Sequence, residues 1–282
     1  MRNFVKQVED LEALDGACAT VAGRVARVTG SRAVKNALSG SWLGHPLHPA
    51  LSDVPIGAWG IASLMDMVAG AHGARAARGL VGLGLAAAVP TAAAGASDWS
   101  DTYGAAQRVG LVHGACNGTA TVLQAASWLA RRRGRRGAGA MLSGMGLGLT
   151  LSAAYLGGHL TYVRGVGVNH TAFQETVTAW TDVAAESDLA DELPLRVTAD
   201  GVPVVLVRHD GRLYALSATC THAGGPLDEG GLDDGCLRCP WHGSTFRLAD
   251  GEVVRGPASV AQPLWDVKVE DGRVHVRSRT AG

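Results

Sequence analysis

The chain has 282 residues with 25 basic and 25 acidic side chains, and this zero net charge argues against nucleic acid as a partner. Its five cysteines are scattered, which argues against a secreted disulfide scaffold and favours metal ligation. The character of the sequence changes sharply along its length, so we predict a multidomain protein. Residues 1–44 read as a polar and amphipathic N-terminal segment with no cleavable signal peptide.

Residues 45–172 contain four stretches that are nearly free of charge. They are Leu51–Ala71, Leu80–Ala96, Val109–Ala130 and Gly137–Val163. Each is about long enough to cross ~30 Å of hydrocarbon at ~1.5 Å per residue, so we predict an α-helical four-span transmembrane bundle surrounded by membrane lipid. The alternative is a soluble bundle of Ala-rich helices, because Asp53 and Asp66 in the first stretch would be costly in lipid.

Small and charged residues within these stretches predict how the helices interact. Glycines recur at four-residue intervals at Gly110, Gly114 and Gly118 and again at Gly144 and Gly148, a spacing that lets membrane helices approach closely. The spacing therefore favours close helix contacts at these glycines, although such stripes also arise by chance in glycine-rich sequence. Asp66 lies deep in the first span, where it is either a proton relay or the partner of a polar neighbour.

An even number of spans places both chain ends on the same side of the membrane. The loops on the other side carry Arg75 and Arg78 in one and five arginines within residues 131–136 in the other. By the positive-inside rule these loops face the cytoplasm of a bacterial-type cell, so the C-terminal domain is predicted to face outward. The cytoplasmic side is the alternative for the C-terminal domain, because a domain in which no disulfide is predicted suits a reducing compartment.

Five histidines fall on one side of the predicted membrane: His45, His48, His113, His159 and His170. Histidines at such depths usually face the bundle interior, so the group is a candidate site for haem b, another metal or a quinone. The alternative is that they only hydrogen-bond helix ends. The run 44–49, with Asp53 and the pairs 158–159 and 169–170, resembles a family of predicted four-helix bacterial membrane proteins of unsettled function, over about residues 40–172.

The remaining chain divides into a polar linker, residues 173–193, and an all-β domain, residues 194–282. Short β-rich runs alternate there with Asp-Gly turn dipeptides. The predicted strands are Val202–Val207, Leu213–Ser217, Thr245–Leu248, Val267–Val269 and Val274–Val276.

Two short clusters of cysteine and histidine lie within this β domain. Cys220 and His222 are separated by one residue, and Cys239 and His242 follow after 16 intervening residues and are separated by two. Two thiolates can hold one iron and two imidazoles another, with each Cys/His pair on its own loop. Zinc uses the same residue types, but the one-residue gap is tighter than usual zinc-finger spacings. Cys236 is expected to be a strand residue near the site instead of a ligand.

From these residues the chain resembles the Rieske family over about residues 178–280. Gly224-Gly225-Pro226 and Gly243-Ser244 follow the two pairs, and 256–258 resembles the third loop that covers the cluster in that family. The resemblance implies a [2Fe–2S] cluster on Cys220, His222, Cys239 and His242.

The chain departs from the respiratory branch of that family at three positions. Gly225 and Trp241 stand where Rieske proteins of cytochrome bc complexes have a disulfide, and Phe246 stands where they have a tyrosine. Because hydrogen bonds to the sulfurs raise the potential, these differences place the cluster lower in the Rieske range of about −150 to +300 mV, nearer the ferredoxins of ring-hydroxylating oxygenases.

The predicted function is membrane-bound electron transfer, with a redox partner protein or a quinone as the exchange partner. A redox-sensing module and a membrane-tethered ferredoxin that feeds a separate oxygenase are the alternatives. Since 40 residues follow His242, we expect an electron carrier and not an oxygenase subunit with a second, mononuclear iron domain.

Overall fold

The computed structural model describes residues 2–279, which divide into two compact units. We call Met1–Ser31 with Pro46–Val166 the helical unit, and Arg32–His45 with Gly167–Gly282 the β unit. The division differs from the predicted one, because residues 32–44 of the N-terminal segment and residues 45 and 167–172 of the predicted membrane domain belong to the β unit.

Three of the four long helices are longer than the apolar stretches that predicted them, and the last has the same length. In the described residues the α-helices are α1 (Arg2–Glu9), α2 (Asp15–Thr29), α3 (Arg32–Ser39), α4 (Leu47–Val68), α5 (Ala74–Trp99), α6 (Gly104–Arg132) and α7 (Arg136–Tyr162). In the helical unit α4 packs mainly against α5, and α6 packs mainly against α7. The four predicted spans thus correspond to α4, α5, α6 and α7.

The four long helices differ in how well they suit a bilayer. Among the described residues, α5 and α7 are long and apolar enough to cross a membrane by length and composition. Asp53 and Asp66 make α4 more polar, and Arg108, Asn117 and Gln124 do the same in α6. The number of helices agrees with the prediction, while membrane crossing by all four stays a prediction.

The prediction of close helix contacts was wrong for most of the glycines chosen. A Cβ added at any of four of them would meet nothing within 4 Å: Gly114, Gly118, Gly144 and Gly148. Gly110 does lie at a contact, because a Cβ there would overlap the indole of Trp99, and Gly84 receives Trp59 in the same way. Glycine in this bundle therefore makes room for tryptophan rings.

A buried ion pair joins α4 to α6. Nη1 of Arg131 donates to Oδ1 of Asp66 at 2.9 Å, and Nη2 contacts the second carboxylate oxygen. The two side chains are only 3% and 7% exposed, and Nε of Arg131 also donates to Oγ of Ser127 at 3.1 Å. Of the two roles predicted for Asp66, the structure thus gives it a polar partner. Arg131 was predicted as a loop charge that sets topology, and it instead lies inside the bundle.

The amphipathic N-terminal segment begins with a helix that packs on the bundle. Val5 and Val8 of α1 are buried in one cluster with Val109 of α6 and Leu156 of α7. Burial of these aliphatic side chains stabilises the docked helix by about 1.5–3 kcal/mol each at most.

The β unit contains two antiparallel sheets. Its strands are β1 (Thr181–Ala185), β2 (Leu195–Ala199), β3 (Val202–His209), β4 (Arg212–Ser217), β5 (Gly231–Asp233), β6 (Cys236–Arg238), β7 (Thr245–Arg247), β8 (Val253–Arg255), β9 (Leu264–Glu270) and β10 (Arg273–Ser278). The six-stranded sheet has the order β1-β10-β9-β4-β3-β2, and the four-stranded sheet has the order β5-β6-β7-β8. One core cluster contains the fully buried Trp265 and Leu206, and a second contains Phe246 with Cys220 and Cys239.

The five predicted strands are all present, as β3, β4, β7, β9 and β10. The segment 173–193 differs from the predicted linker, because it contains β1, which pairs with β10 at the edge of the larger sheet. Strands β5, β6 and β8 were not predicted and have three residues each, too few for clear period-two alternation; β7 is equally short but was predicted within the longer run Thr245–Leu248.

Candidate metal centre

The two cysteine and histidine pairs lie on two loops of the β unit. Cys220 and His222 follow β4, and Cys239 and His242 occupy the turn between β6 and β7. The hairpin β6–β7 is held by backbone pairing, with Leu237 opposite Phe246. Both partners are fully buried, so the small sheet fixes where the second loop emerges.

The two loops have the same backbone arrangement, although their histidines are spaced differently. The amide of Cys220 donates to Gly225 O at 2.9 Å, and the amide of Gly224 donates back to Cys220 O at 2.9 Å. In the second loop Cys239 donates to Ser244 O at 2.8 Å and Gly243 donates back to Cys239 O at 3.1 Å.

A glycine four residues after each cysteine makes these turns possible. Gly224 has φ +77° and Gly243 has φ +72°, a left-handed conformation that side chains with a Cβ rarely adopt. In the sequence, both glycines stand out only through the family resemblance. Both lie four residues after a cysteine, where the turn requires a positive φ that glycine adopts readily.

Each loop directs backbone amides at its own cysteine sulfur. The amides of His222 and Ala223 interact with the sulfur of Cys220, and those of Trp241 and His242 interact with the sulfur of Cys239. Donors at these positions favour the thiolate, which is the form that binds iron.

The two sulfurs also face each other. A hydrogen bond from the Cys220 thiol lowers the pKa of Cys239 to about 6, and the same contact raises the pKa of Cys220. One proton is therefore shared between two sulfurs, and a cation between them would replace it.

The two imidazoles form the other half of the site. The ring centroids of His222 and His242 lie 4.9 Å apart with an interplanar angle of 84°. Burial, the neighbouring His242 and then Lys35 lower the pKa of His222 to about 3. At neutral pH its ring is thus neutral, as a metal ligand must be.

The four donors fit a two-iron cluster. Within residues 2–279 no three His, Cys, Asp or Glu side chains converge as ligands for a single ion. The donors form one sulfur pair and one imidazole pair instead, which is the ligand set of a Rieske [2Fe–2S] centre. All five cysteines are free thiols, so no disulfide competes for the two sulfurs.

The space beside the sulfurs depends on one glycine. A Cβ added at Gly225 would lie 2.8 Å from Sγ of Cys239 and 3.1 Å from Cδ2 of Trp241. Gly225 and Trp241 do face each other across the two loops, as the resemblance implied. A tryptophan ring packs against glycine where the respiratory branch has a disulfide.

Two further residues hold the ligand loops in place. Gln262 was not predicted, and Ser244 was named in the sequence without a role. Gln262, which is 2% exposed, donates from Nε2 to Ser217 O and Thr219 O at 2.7 Å each, and accepts from the amide of Thr221 at 3.2 Å. It ties the first loop to β4. Ser244 is fully buried, and its hydroxyl accepts from the amide of Ala258 at 3.0 Å, which joins the second loop to the third.

The predicted group of five histidines is divided between the two units. In the helical unit His48 and His113 approach each other, with ring centroids 6.3 Å apart. Nδ1 of His48 donates to Thr91 O at 2.9 Å, and Nδ1 of His113 donates to Ala153 O at 2.8 Å. Nε2 of His113 accepts from Asn117 at 3.1 Å, so both ring nitrogens of His113 already have partners.

The other three histidines have separate surroundings. His159 binds Glu9, with Nε2 2.7 Å from Oε1. His45 and His170 belong to the β unit, where the amide of His170 donates to Thr221 O at 3.1 Å, beside the first loop. The five residues therefore do not form one site within either unit.

The fold and these two loops define an iron–sulfur electron-transfer domain joined to a helical domain. Residues 179–269 match the family model of the Rieske [2Fe-2S] domain, and residues 44–170 match that of a predicted membrane protein family (DUF2231).

Individual relatives agree with the first match. The ferredoxin CarAc of Metapseudomonas resinovorans is 35% identical over 98 residues, covering 34% of this chain and 92% of that protein. The ferredoxin component of the naphthalene 1,2-dioxygenase system of Pseudomonas putida is 29% identical over 97 residues, covering 34% and 93%. A solved complex of reduced oxygenase and oxidized ferredoxin in carbazole 1,9a-dioxygenase contains a chain with 32% identity, 36% and 97% coverage and a TM-score of 0.35.

This protein belongs to the Rieske [2Fe–2S] family, with its Rieske domain fused to a predicted membrane protein domain. The predicted fusion is confirmed. The family implies a [2Fe–2S] cluster and the role of an electron carrier.

Proposed function

We propose that this protein is a membrane-bound electron carrier in which Cys220 and Cys239 hold one iron of the cluster and His222 and His242 hold the other. The observation that carries the proposal is the sorting of the four donors into a sulfur pair and an imidazole pair on two loops of matching backbone geometry. When bound, the cluster supplies a one-electron redox centre.

The surrounding residues prepare the donors for iron. The amides at Cys220 and Cys239 stabilise thiolates, and burial keeps the imidazole of His222 neutral. The buried cysteines lie within the second core cluster, whereas both histidines are only partly buried. We therefore propose that electrons are exchanged with the partner through the imidazole side of the site.

A separate redox protein is the partner that we propose. The relatives named above are ferredoxins or ferredoxin components of dioxygenase systems, and one solved complex holds a ferredoxin with its oxygenase. Trp241 is 54% exposed, and its ring centroid lies 6.4 Å from that of His242. An exposed aromatic ring beside the imidazole pair offers a contact for such a partner.

For the helical domain we propose four membrane spans formed by α4, α5, α6 and α7. Support comes from the match to a predicted membrane protein family and from the lengths of the helices, of which α5 and α7 are also apolar enough to cross a membrane by composition. We also propose that the β unit faces outward. Under the positive-inside rule this orientation rests on the loop arginines other than Arg131, because Arg131 is buried in the bundle.

A haem or quinone among the membrane histidines stays a prediction. The engagement of both nitrogens of His113 gives it no support. A quinone remains compatible with the proposed carrier, because it would exchange electrons without a histidine ligand.

Anaerobic purification of the full chain from washed membranes tests the proposal. We expect about two iron and two acid-labile sulfide per chain, and an EPR signal that appears on reduction. Zinc or no metal at the site would overturn the cluster assignment. Recovery of the chain in the soluble fraction would overturn the membrane assignment, and a Soret band would restore the haem prediction.

A further inference from the structure

Helix α3 belongs to the β unit, although its residues precede the membrane domain in the sequence. It has eight residues, and its two most buried side chains are polar: Lys35 is 4% exposed and Ser39 is 1% exposed. A short helix that buries a lysine instead of an apolar residue indicates that its position serves something other than hydrophobic packing.

Specific hydrogen bonds attach α3 to the third loop of the Rieske domain. Nδ2 of Asn36 donates to Val254 O at 3.0 Å, and its Oδ1 accepts from the amide of Gly256 at 2.8 Å. Nε of Arg32 donates to the same Val254 carbonyl at 3.0 Å. A Cβ at Gly256 would lie 2.5 Å from Oγ of Ser39, so the loop needs glycine here to receive the helix.

The third loop continues directly to the candidate cluster site. Two residues after Gly256, the amide of Ala258 donates to the hydroxyl of Ser244 at 3.0 Å. The carbonyl of Ser244 in turn accepts from the amide of Cys239 at 2.8 Å. The helix, the third loop and the second ligand loop therefore form one hydrogen-bonded series.

Lys35 brings a positive charge into this series. Lys35 directly precedes Asn36, the residue that bonds the third loop, and its ammonium acts electrostatically on the ring of His222. Because Lys35 is buried, solvent screens this interaction much less than it screens an exposed charge.

We propose that α3 is a positioning element for the cluster, in which Lys35 supplies a fixed positive charge that raises the reduction potential of the Rieske centre. Reduction adds one negative charge, and a nearby buried cation stabilises the reduced form more than the oxidised form. The inference rests on the proposed function, since it needs the cluster at Cys220, His222, Cys239 and His242.

The test is a redox titration of the full-length protein followed by EPR. Lys35→Met keeps the length of the side chain and removes its charge, and Lys35→Arg keeps the charge. Lys268→Met is the matched control, because Lys268 lies exposed on β9 with its Nζ 2.6 Å from Glu270 Oε2. We expect K35M to lower the equilibrium constant for one-electron reduction by about tenfold, which corresponds to about 59 mV.

The two other variants are expected to titrate like the wild type. An unchanged potential in K35M, or an equal decrease in K35M and K35R, would overturn the proposal. If K35M fails to retain its cluster, Asn36→Ala provides the test, because loss of both bonds to the third loop would let α3 and its charge move into solvent. N36A is then expected to lower the potential, and an unchanged value would overturn the proposal. A wild-type protein without iron and sulfide would instead refute the proposed function.

Discussion

The helical unit and the β unit treat their buried polar side chains in opposite ways. In the helical unit Asp66 is matched by Arg131, and His113 is matched by Ala153 and Asn117. In the β unit, groups of one kind are brought together, because Cys220 faces Cys239 and His222 faces His242. Donor groups of one kind that lie close together can bind one shared metal centre. Complementary groups instead satisfy each other's charge and hydrogen-bonding capacity.

Glycine shows the same contrast. In the helical unit Gly84 and Gly110 make room for the tryptophan rings of Trp59 and Trp99. In the β unit Gly225 keeps a Cβ away from the sulfur of Cys239. Glycine thus allows a bulky side chain to pack closely in the helical unit, and it leaves the donor sulfur accessible in the β unit.

The largest effect is expected from the sulfur pair. Cys239→Ser should abolish iron and sulfide binding, because a serine hydroxyl is a poor substitute for a thiolate on iron. Cys236→Ser is the control, since Cys236 lies in β6 of the same sheet and is not among the proposed ligands. Metal analysis and visible absorbance of the two purified variants measure the difference. If both variants lost iron and sulfide equally, the paired cysteines of the β unit would not be specific ligands, and the contrast with the helical unit would fail.

The next largest effect is expected in the helical unit. Asp66→Asn leaves the guanidinium of Arg131 buried without a charge partner, and should lower the free energy of unfolding by about 3–5 kcal/mol. Thermal unfolding in detergent measures it, with Asp53→Asn as the control because Asp53 is exposed. The double variant Asp66→Leu with Arg131→Met should recover most of the loss. A double variant as unstable as Asp66→Asn would contradict the mutual satisfaction of the pair.

A smaller effect is expected from the glycine beside the sulfurs. Gly225→Ala should destabilise the β unit by about 1–3 kcal/mol and reduce cluster occupancy, because the new methyl group overpacks against Cys239 and Trp241. Gly231→Ala is the matched control, since a Cβ there meets nothing within 4 Å. The iron content and the unfolding midpoint are measured for both variants. Full cluster occupancy in Gly225→Ala would refute the proposed steric effect.

The smallest effect is expected where α1 meets α7. Burial opposes ionisation of Glu9, but hydrogen bonds from His159 and Arg164 outweigh it and lower the pKa of Glu9 below 4.5. A lowered folded-state pKa means that this stabilisation is complete above pH 4.5 and is lost as the pH falls through the folded-state value.

Glu9→Gln should therefore cost at most about 1 kcal/mol at neutral pH, and the deficit should vanish in acid. Unfolding midpoints from pH 7 to pH 3 follow it, with Glu12→Gln as an exposed control. A deficit that is constant with pH would show that the charge of Glu9 is not involved.

Much of the fold could be predicted from local pattern. The four long helices followed from apolar stretches, and five strands followed from runs such as Val202–Val207 bounded by Asp-Gly turns. The strands β5, β6 and β8 were missed because three residues contain little alternation, whereas the equally short β7 lies within the longer run Thr245–Leu248. Strand β1 was taken for linker because its partner, β10, lies at the far end of the chain.

For the candidate site, the four proposed ligands could be identified from spacing, since each Cys/His pair is contiguous in sequence. Gln262 and Lys35 could not be found in this way, as they reach the site from about 40 residues after and 185 residues before Cys220. No local pattern records such distant contacts.

By itself, the sequence determined the composition of each unit, the position of the long helices and the identity of the donor atoms, because these depend on neighbours within a few residues. Only the tertiary structure decided that Asp66 pairs with Arg131, that the five histidines are divided between the two units and that α3 joins the Rieske domain. Those outcomes depend on which distant surfaces bury one another, and the hydrophobic effect and the pairing of buried charges act on the folded chain and not on its local pattern.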